Sequence, residues 1–368
     1  MEGGIAPTTQ GLPSWQSGAY DPVMLRLVVP PASAVLALAL VLSGCQRRGV
    51  DCQRRAPTAG EEAVCQVPGW RDRDYILQLP ASYDPGRRYP LILALHGGGG
   101  DKEGANPLTC EDGDEASASC LAQVAGREGF IIAFPDGTAN ALGFRTWNQG
   151  GEGDDTLQCP HACEQGIDDV AYVSALLDDI EAVASVDPRR IYATGFSNGA
   201  GMSHRLACEL GDRLAAVAPV SGANQFAGAA TCAPGRPVPI LAIHGRTDPC
   251  WPYDGGAGTC LEVQEGNYVA VEPSMIGDAD APGWALRNGC DPAPISTAIA
   301  DTVDDGTSAT LTSFADCAAE TALITVEGAG HTWPGGDQYL KVETIGGLSR
   351  DFSASERIVA FFAEQALP

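Results

Sequence analysis

The stretch from Arg189 to Leu210 constrains this chain most. Ile191–Thr194 is a short apolar run of strand-forming residues, and beyond Gly199 the residues Met202, Leu206 and Leu210 recur at helical spacing. Between them stands Gly195-Phe196-Ser197-Asn198-Gly199. A strand that turns at once into a helix, with serine at the apex, is a nucleophile elbow. The turn is so tight that the positions two before and two after the serine must lack a Cβ. The Ser197 hydroxyl then stands clear of the sheet, above a helix N-terminus that favours developing negative charge. In a chain with 45 glycines the pentapeptide alone carries little weight, so its partners decide the reading.

Three further apolar strands end in residues of the matching chemistry. Pro90–Leu95 is a continuous apolar run, hence a buried strand, and opens into His96-Gly97-Gly98-Gly99-Gly100-Asp101. Such a glycine run lets backbone N–H groups face a ligand, so Asn198 with Gly97 or Gly98 is expected to form an oxyanion hole. Pro239–His244 runs into His244-Gly245-Arg246-Thr247-Asp248, and Ala322–Val326 into Glu327-Gly328-Ala329-Gly330-His331. Acyl transfer by serine needs a base, a group that orients the base, and donors for the oxyanion. In α/β hydrolases these follow in the order serine, acid, histidine, each beyond the carboxyl end of a strand. Ser197, Asp248 and His331 satisfy that order. The other histidines are assigned by elimination. His96 leads the glycine loop, His161 lies between Cys159 and Cys163, His204 is inside the elbow helix, and His244 precedes the acid.

The rest of the chain alternates strands with helices. Arg73–Leu79, Phe130–Phe134 and Leu214–Val220 read as strands; Glu115–Ala125, Gly166–Val186 and a closing helix capped by Ser353 and Glu356 read as helices. Asp168 and Asp169 are read as helix caps. Residues 250–320 read as loop-rich, with a helix over Trp284–Asn288. This pattern predicts a mainly parallel α/β sheet with helices on both faces, in one domain over residues 70–368, and the elbow with the order Ser197, Asp248, His331 makes an α/β-hydrolase fold the expectation.

The N-terminal residues suggest export. Met24-Leu25-Arg26 precedes an apolar stretch that ends Leu42-Ser43-Gly44-Cys45, so residues 1–44 read as a signal region with Met24 as the expected true start. The last four residues resemble a bacterial lipobox, which makes Cys45 the expected lipidation site and the lipid the expected contact with membrane. Residues 45–69, with Cys-Gln-Arg-Arg at 45–48 and again at 52–55, read as a linker. Apart from Cys45, twelve of the 13 cysteines remain, an even set that in an exported chain predicts disulfides. Cys290 with Cys317 is the expected pair. Cys159-Pro-His-Ala-Cys163 reads as a small staple in preference to a zinc site. The net charge of −25 makes nucleic acid an unsuitable partner.

Taken together, Leu95-His96-Gly97-Gly98-Gly99-Gly100, Arg145-Thr146-Trp147-Asn148, Asp168-Asp169-Val170, the elbow, His244–Asp248 and Gly330-His331-Thr332-Trp333-Pro334-Gly335 resemble the secreted polyhydroxybutyrate depolymerase and feruloyl esterase family of α/β hydrolases, over about residues 70–366. The resemblance implies Ser197 as nucleophile, Asp248 as acid, His331 as base, no metal and no cofactor. Trp147, Trp251, Tyr253 and Trp333 flank the catalytic loops and are expected to form an aromatic wall for a hydroxycinnamoyl group. The expected activity is hydrolysis of hydroxycinnamoyl, related polysaccharide or short polyester esters. The alternative is a surface lipoprotein that binds esters or sugars without turnover.

Overall fold

The computed structural model describes Cys52 and residues 56–368, apart from 152–157, 227–231, 261–266 and 278–281. The expected signal region, Met24 and Cys45 lie outside the described residues. Among the described residues no helix is long and apolar enough to cross a membrane.

Twelve strands are described: β1 Glu62–Gln66, β2 Asp74–Gln78, β3 Tyr89–Leu95, β4 Ile131–Pro135, β5 Thr138–Ala139, β6 Arg145–Thr146, β7 Val186–Phe196, β8 Ala216–Val220, β9 Ile240–Gly245, β10 Pro294–Ala298, β11 Ser308–Phe314 and β12 Thr321–Glu327. Ten of them form one sheet in the order β1-β2-β4-β3-β7-β8-β9-β12-β11-β10, while β5 and β6 make a separate hairpin. The run from β4 to β12 is parallel throughout, and both flanks are antiparallel.

The period of two along each central strand feeds two cores. In β3, Leu91, Leu93 and Leu95 face one core and Ile92 and Ala94 the other. The first is closed by α2 (Asp169–Val183), through Tyr172, Val173, Leu176 and Ile180, and by α3 (Asn198–Glu209), through Met202 and Leu206. The second is closed by α1 (Leu121–Arg127), through Leu121 and Val124, and by α4 (Ala354–Ala363), through Ile358, Val359 and Phe362. The expected caps are in place: Asp168 Oδ1 accepts from the Ala171 N–H, and Ser353 Oγ from the Glu356 N–H. Asp169 is no simple cap, because it is buried and bonded to Arg73 at 2.7 Å.

Three expectations need correction. The supposed linker over 45–69 ends early: β1 pairs with β2 at the sheet edge, and buried Cys65 is bonded to Cys52. Ala63 and Cys65 pack toward one core and Val64 toward the other. The expected helix over Glu115–Ala125 begins only at Leu121, since the Cys110–Cys120 disulfide closes the preceding residues into turns. The loop-rich region over 250–320 contains all of β10 and β11, which pair with each other and continue the sheet outward from β12. Cysteines 159–163, 208–232, 250–260 and 290–317 are also paired. With both sulfurs of 159 and 163 bonded to each other, that motif has no thiolates for zinc.

The elbow is packed at backbone contact. An ideal Cβ on Gly195 would fall 2.4 Å from the Gly199 carbonyl oxygen, and one on Gly199 2.4 Å from that of Leu95. Gly126, by contrast, has open space around it. Gly199→Ala is therefore expected to cost about 3 kcal/mol or more, while Gly126→Ala is neutral or stabilising by up to about 1 kcal/mol. Denaturant melts of the two variants check this, and equal midpoints would contradict it.

Candidate active site

Ser197 occupies the turn between β7 and α3 with φ 55° and ψ −117°, a strained backbone region for a residue with a side chain. Its N–H is held by the Val220 carbonyl at 3.0 Å. The helix behind it begins at Asn198, so the first-turn amides point toward the serine.

The acid and the histidine arrive on neighbouring strands. β9 and β12 are parallel partners, and their following loops touch through glycines: a Cβ on Gly245 would lie 2.3 Å from the Gly330 carbonyl oxygen. His331 Nδ1 stands 2.7 Å from Asp248 Oδ2. A carboxylate only accepts, so Nδ1 carries a proton, and in the neutral imidazole Nε2 is the acceptor. His331 and Ser197 line one cavity of about 850 Å³. Asp248 is buried, and four donors converge on it. Oδ1 accepts from the Cys250 N–H at 2.7 Å and the Trp251 N–H at 2.9 Å; Oδ2 accepts from His331 and from His244 Nε2 at 3.1 Å. Burial pushes this carboxyl up, but His331 and His244 outweigh it and hold the group far below the usual carboxylate range. His244 shares its Nε2–H with the Trp251 carbonyl at 2.9 Å. Its position four residues ahead of the acid was visible in the sequence, but its contact with the acid was not.

The glycine loop is fixed from behind. His96 is buried; its Nε2 accepts from the Gly137 N–H at 2.9 Å, so Nδ1–H donates to the Gly97 carbonyl at 2.7 Å. Burial lowers its pKa to about 4, which keeps the ring neutral. Lys102 and Arg145 meet the buried Asp136 carboxylate at 3.0 and 3.4 Å, and the Arg145 carbonyl accepts from the Gly99 N–H. Among the described residues no turn, loop or cap hydrogen bond engages the N–H of Gly97, Gly98 or Asn198, and all three residues line the cavity.

The expected aromatic wall divides. Trp251 and Trp333 line the cavity, joined by Phe144, Tyr268 and Tyr339, which the sequence did not single out. Trp147 and Tyr253 do not line it. Trp147 is fully buried behind the glycine loop, its Nε1–H bonded to the His96 carbonyl at 3.0 Å. Tyr253 packs against His244 and bonds Thr325 at 2.8 Å, so it supports the acid loop. Proximity in sequence to a catalytic loop does not fix which way a ring points. Among the described residues, Asp248, Cys250 and His331 form the one cluster of metal-type ligands. The Cys250 sulfur is already bonded to Cys260, and the other two are bonded to each other, so the cluster holds no free ligand set.

Fold and site define an α/β hydrolase. A family model for Phospholipase/Carboxylesterase matches residues 153–261. The putative esterase NocK of Nocardia uniformis subsp. tsuyamanensis is 30% identical over 339 residues, covering 90% of each chain. Feruloyl esterase C of Emericella nidulans is 30% identical over 288 residues, 77% of this chain and 92% of its own. An acetyl xylan esterase from Aspergillus awamori aligns in structure with a TM-score of 0.46 at 15% identity, over 71% of this chain and 89% of that one. The chain belongs to the esterase and feruloyl esterase family of α/β hydrolases, and it is a carboxylic ester hydrolase.

Buried neutral histidines make stability sensitive to acid. His96, and His204 whose pKa burial lowers to about 3, have folded values below the 6.5 of a free histidine. The unfolded chain binds these protons first, so their contribution is complete above pH 6.5 and is lost as pH falls toward 4. Thermal midpoints are expected to drop across that window; a midpoint that stays constant from pH 7 to 4 would contradict this.

Proposed function

We propose that the enzyme is a serine esterase in which Ser197 attacks, His331 shuttles the proton and Asp248 orients the imidazole. The observation that carries this reading is the 2.7 Å bond from His331 Nδ1 to buried Asp248, which in the neutral imidazole makes Nε2 the acceptor, beside the cavity that also holds Ser197. Ser197 Oγ bonds to the ester carbonyl carbon while His331 Nε2 takes its proton. The tetrahedral oxyanion sits against the N–H of Asn198 and that of Gly97 or Gly98. The carbon–alkoxy bond then breaks, and His331 returns the proton to the leaving oxygen. Water repeats the cycle on the acyl-enzyme, releasing the carboxylic acid and restoring Ser197.

The substrate we favour is a hydroxycinnamoyl ester of a plant polysaccharide. A cavity of about 850 Å³ with Phe144, Trp251, Tyr268, Trp333 and Tyr339 in its walls suits a flat aromatic acyl group, and relatives of this chain are named feruloyl esterases. Burial pushes the Tyr268 hydroxyl up to about 12 and Tyr339 higher still, so both rings stay neutral. Short polyesters are the second candidate, and methyl ferulate, acetylated xylan and polyhydroxybutyrate assayed side by side separate them.

Ser197→Ala is expected to abolish turnover with the melting temperature unchanged. Asp248→Asn should cost several orders of magnitude, about 10⁴ in a comparable triad. Wild-type rates in Ser197→Ala, or fluorophosphonate labelling of another residue, would refute the mechanism.

The six disulfides among the described residues fit an oxidising compartment outside the cytosol. We propose that Cys45 is acylated and holds the enzyme at the cell envelope. The full chain should then enter the detergent phase on partition and Cys45→Ser the aqueous phase; an aqueous wild type without lipid mass on its N-terminal peptide ends this proposal.

A further inference from the structure

Two glutamine amides that line the cavity have no role in the reaction above. Gln149 is 1% exposed and lines the cavity. The orientation of its amide follows from a chain of obligatory bonds. The Trp147 backbone N–H can only donate, and it meets the Asn198 side chain at 2.7 Å, so that atom is Oδ1. Asn198 Nδ2 therefore lies on the other side, donating to the Trp147 carbonyl at 3.0 Å and to Gln149 at 2.9 Å. The Gln149 atom that accepts is thus Oε1, and Nε2 is turned away from Asn198. Gly201 makes the approach possible, since a Cβ there would lie 2.4 Å from Gln149 Oε1. Nε2 has no acceptor among the described residues.

Gln158 lines the same cavity, and its Oε1 is buried with no hydrogen-bond partner. Its backbone is tied down: its N–H donates to the Asn267 carbonyl at 2.7 Å, and its carbonyl accepts from Gln225 Nε2 at 3.4 Å. The two segments are packed together, because a Cβ on Gly151, two residues after Gln149, would fall 2.9 Å from the Gln158 carbonyl oxygen. An unused donor and an orphaned acceptor therefore belong to one cavity, on two segments that touch.

We infer that Gln149 and Gln158 form a subsite that reads a hydroxyl group of the ester. A hydroxyl both accepts and donates, so it satisfies Nε2–H of Gln149 and Oε1 of Gln158 together. A carbonyl or ether oxygen can only accept, which leaves the Gln158 oxygen buried and unpaired, at a cost. The substrate class is a hydroxylated ester in preference to its plain counterpart. This rests on hydrolysis at Ser197. The hydroxyl belongs either to a phenolic acyl group or to a polyhydroxy alcohol.

The test compares kcat/KM in two arms. The acyl arm sets methyl 4-hydroxycinnamate against methyl cinnamate; the alcohol arm sets the glyceryl ester of cinnamic acid against the methyl ester. One arm is expected to favour the hydroxylated ester by about tenfold or more, since sites built around a substrate hydroxyl reject analogues that lack it. Gln149→Glu keeps an acceptor for Asn198 and replaces the Nε2 donor by a carboxylate oxygen, which can only accept. That variant and Gln158→Leu should bring the ratio in that arm to within about threefold of one, mainly through KM. Wild-type ratios near one in both arms overturn the inference without any variant. So does a folded Gln149→Glu or Gln158→Leu that keeps the wild-type ratio. Equal turnover of all esters leaves the Ser197 mechanism standing, whereas no turnover of any ester defeats both.

Discussion

A carboxylate as enclosed as that of Asp248 is tolerable only because four donors converge on its two oxygens. Two are backbone amides of the turn that follows, from Cys250 and Trp251, so the loop must fold around the charge. A third, His331, comes from the next strand over, and a fourth, His244, from the end of the acid's own strand. Losing any one leaves charge uncompensated in a buried place. The carboxylate thereby selects the tautomer of His331, the register of the β9 and β12 loops and the path of residues 248–251. His244 touches Asp248 and the Trp251 carbonyl, so in the proposed mechanism it is a positioning residue.

Backbone contact is the second constraint. The proposed chemistry at Ser197 requires the β3 loop, the elbow and the histidine loop to converge within a few ångströms. The chain achieves this by removing side chains where they meet: Gly195 and Gly199 against each other and Leu95, Gly245 against Gly330. These are the same glycines that made the motifs conspicuous. The unusual composition of the loops and the geometry of the site have one cause, namely that a Cβ at these positions would occupy another residue's carbonyl.

That common cause explains what was legible in the sequence. Buried parallel strands appear as unbroken apolar runs, so β3, β4, β7, β8, β9 and β12 could be found, with their loops and the order of Ser197, Asp248 and His331. Strand β10 could not be found this way, because all five of its residues, Pro294–Ala298, are exposed and leave no apolar pattern. β1 was hidden by its position next to a basic repeat. Ring direction was also illegible. Trp147 and Trp333 have similar sequence surroundings, yet one is a strut behind the glycine loop and the other lines the cavity. Tyr339 and Phe144 carry no motif, and only folding brings them to the mouth.

Asn198 links the two chemistries of the cavity. Its backbone N–H belongs to the expected oxyanion hole, while its side chain clasps both backbone polar groups of Trp147 and fixes the amide of Gln149. Trp147 in turn donates to the carbonyl of His96, the residue whose ring holds the Gly97 carbonyl. A single run of hydrogen bonds thus joins the glycine loop, the helix N-terminus at Ser197 and the polar wall. A substrate hydroxyl seated on that wall would be held by the same rigid frame that holds the oxyanion donors. Recognition there would fix the distance between the hydroxyl and the scissile carbonyl, which converts binding energy into alignment for attack.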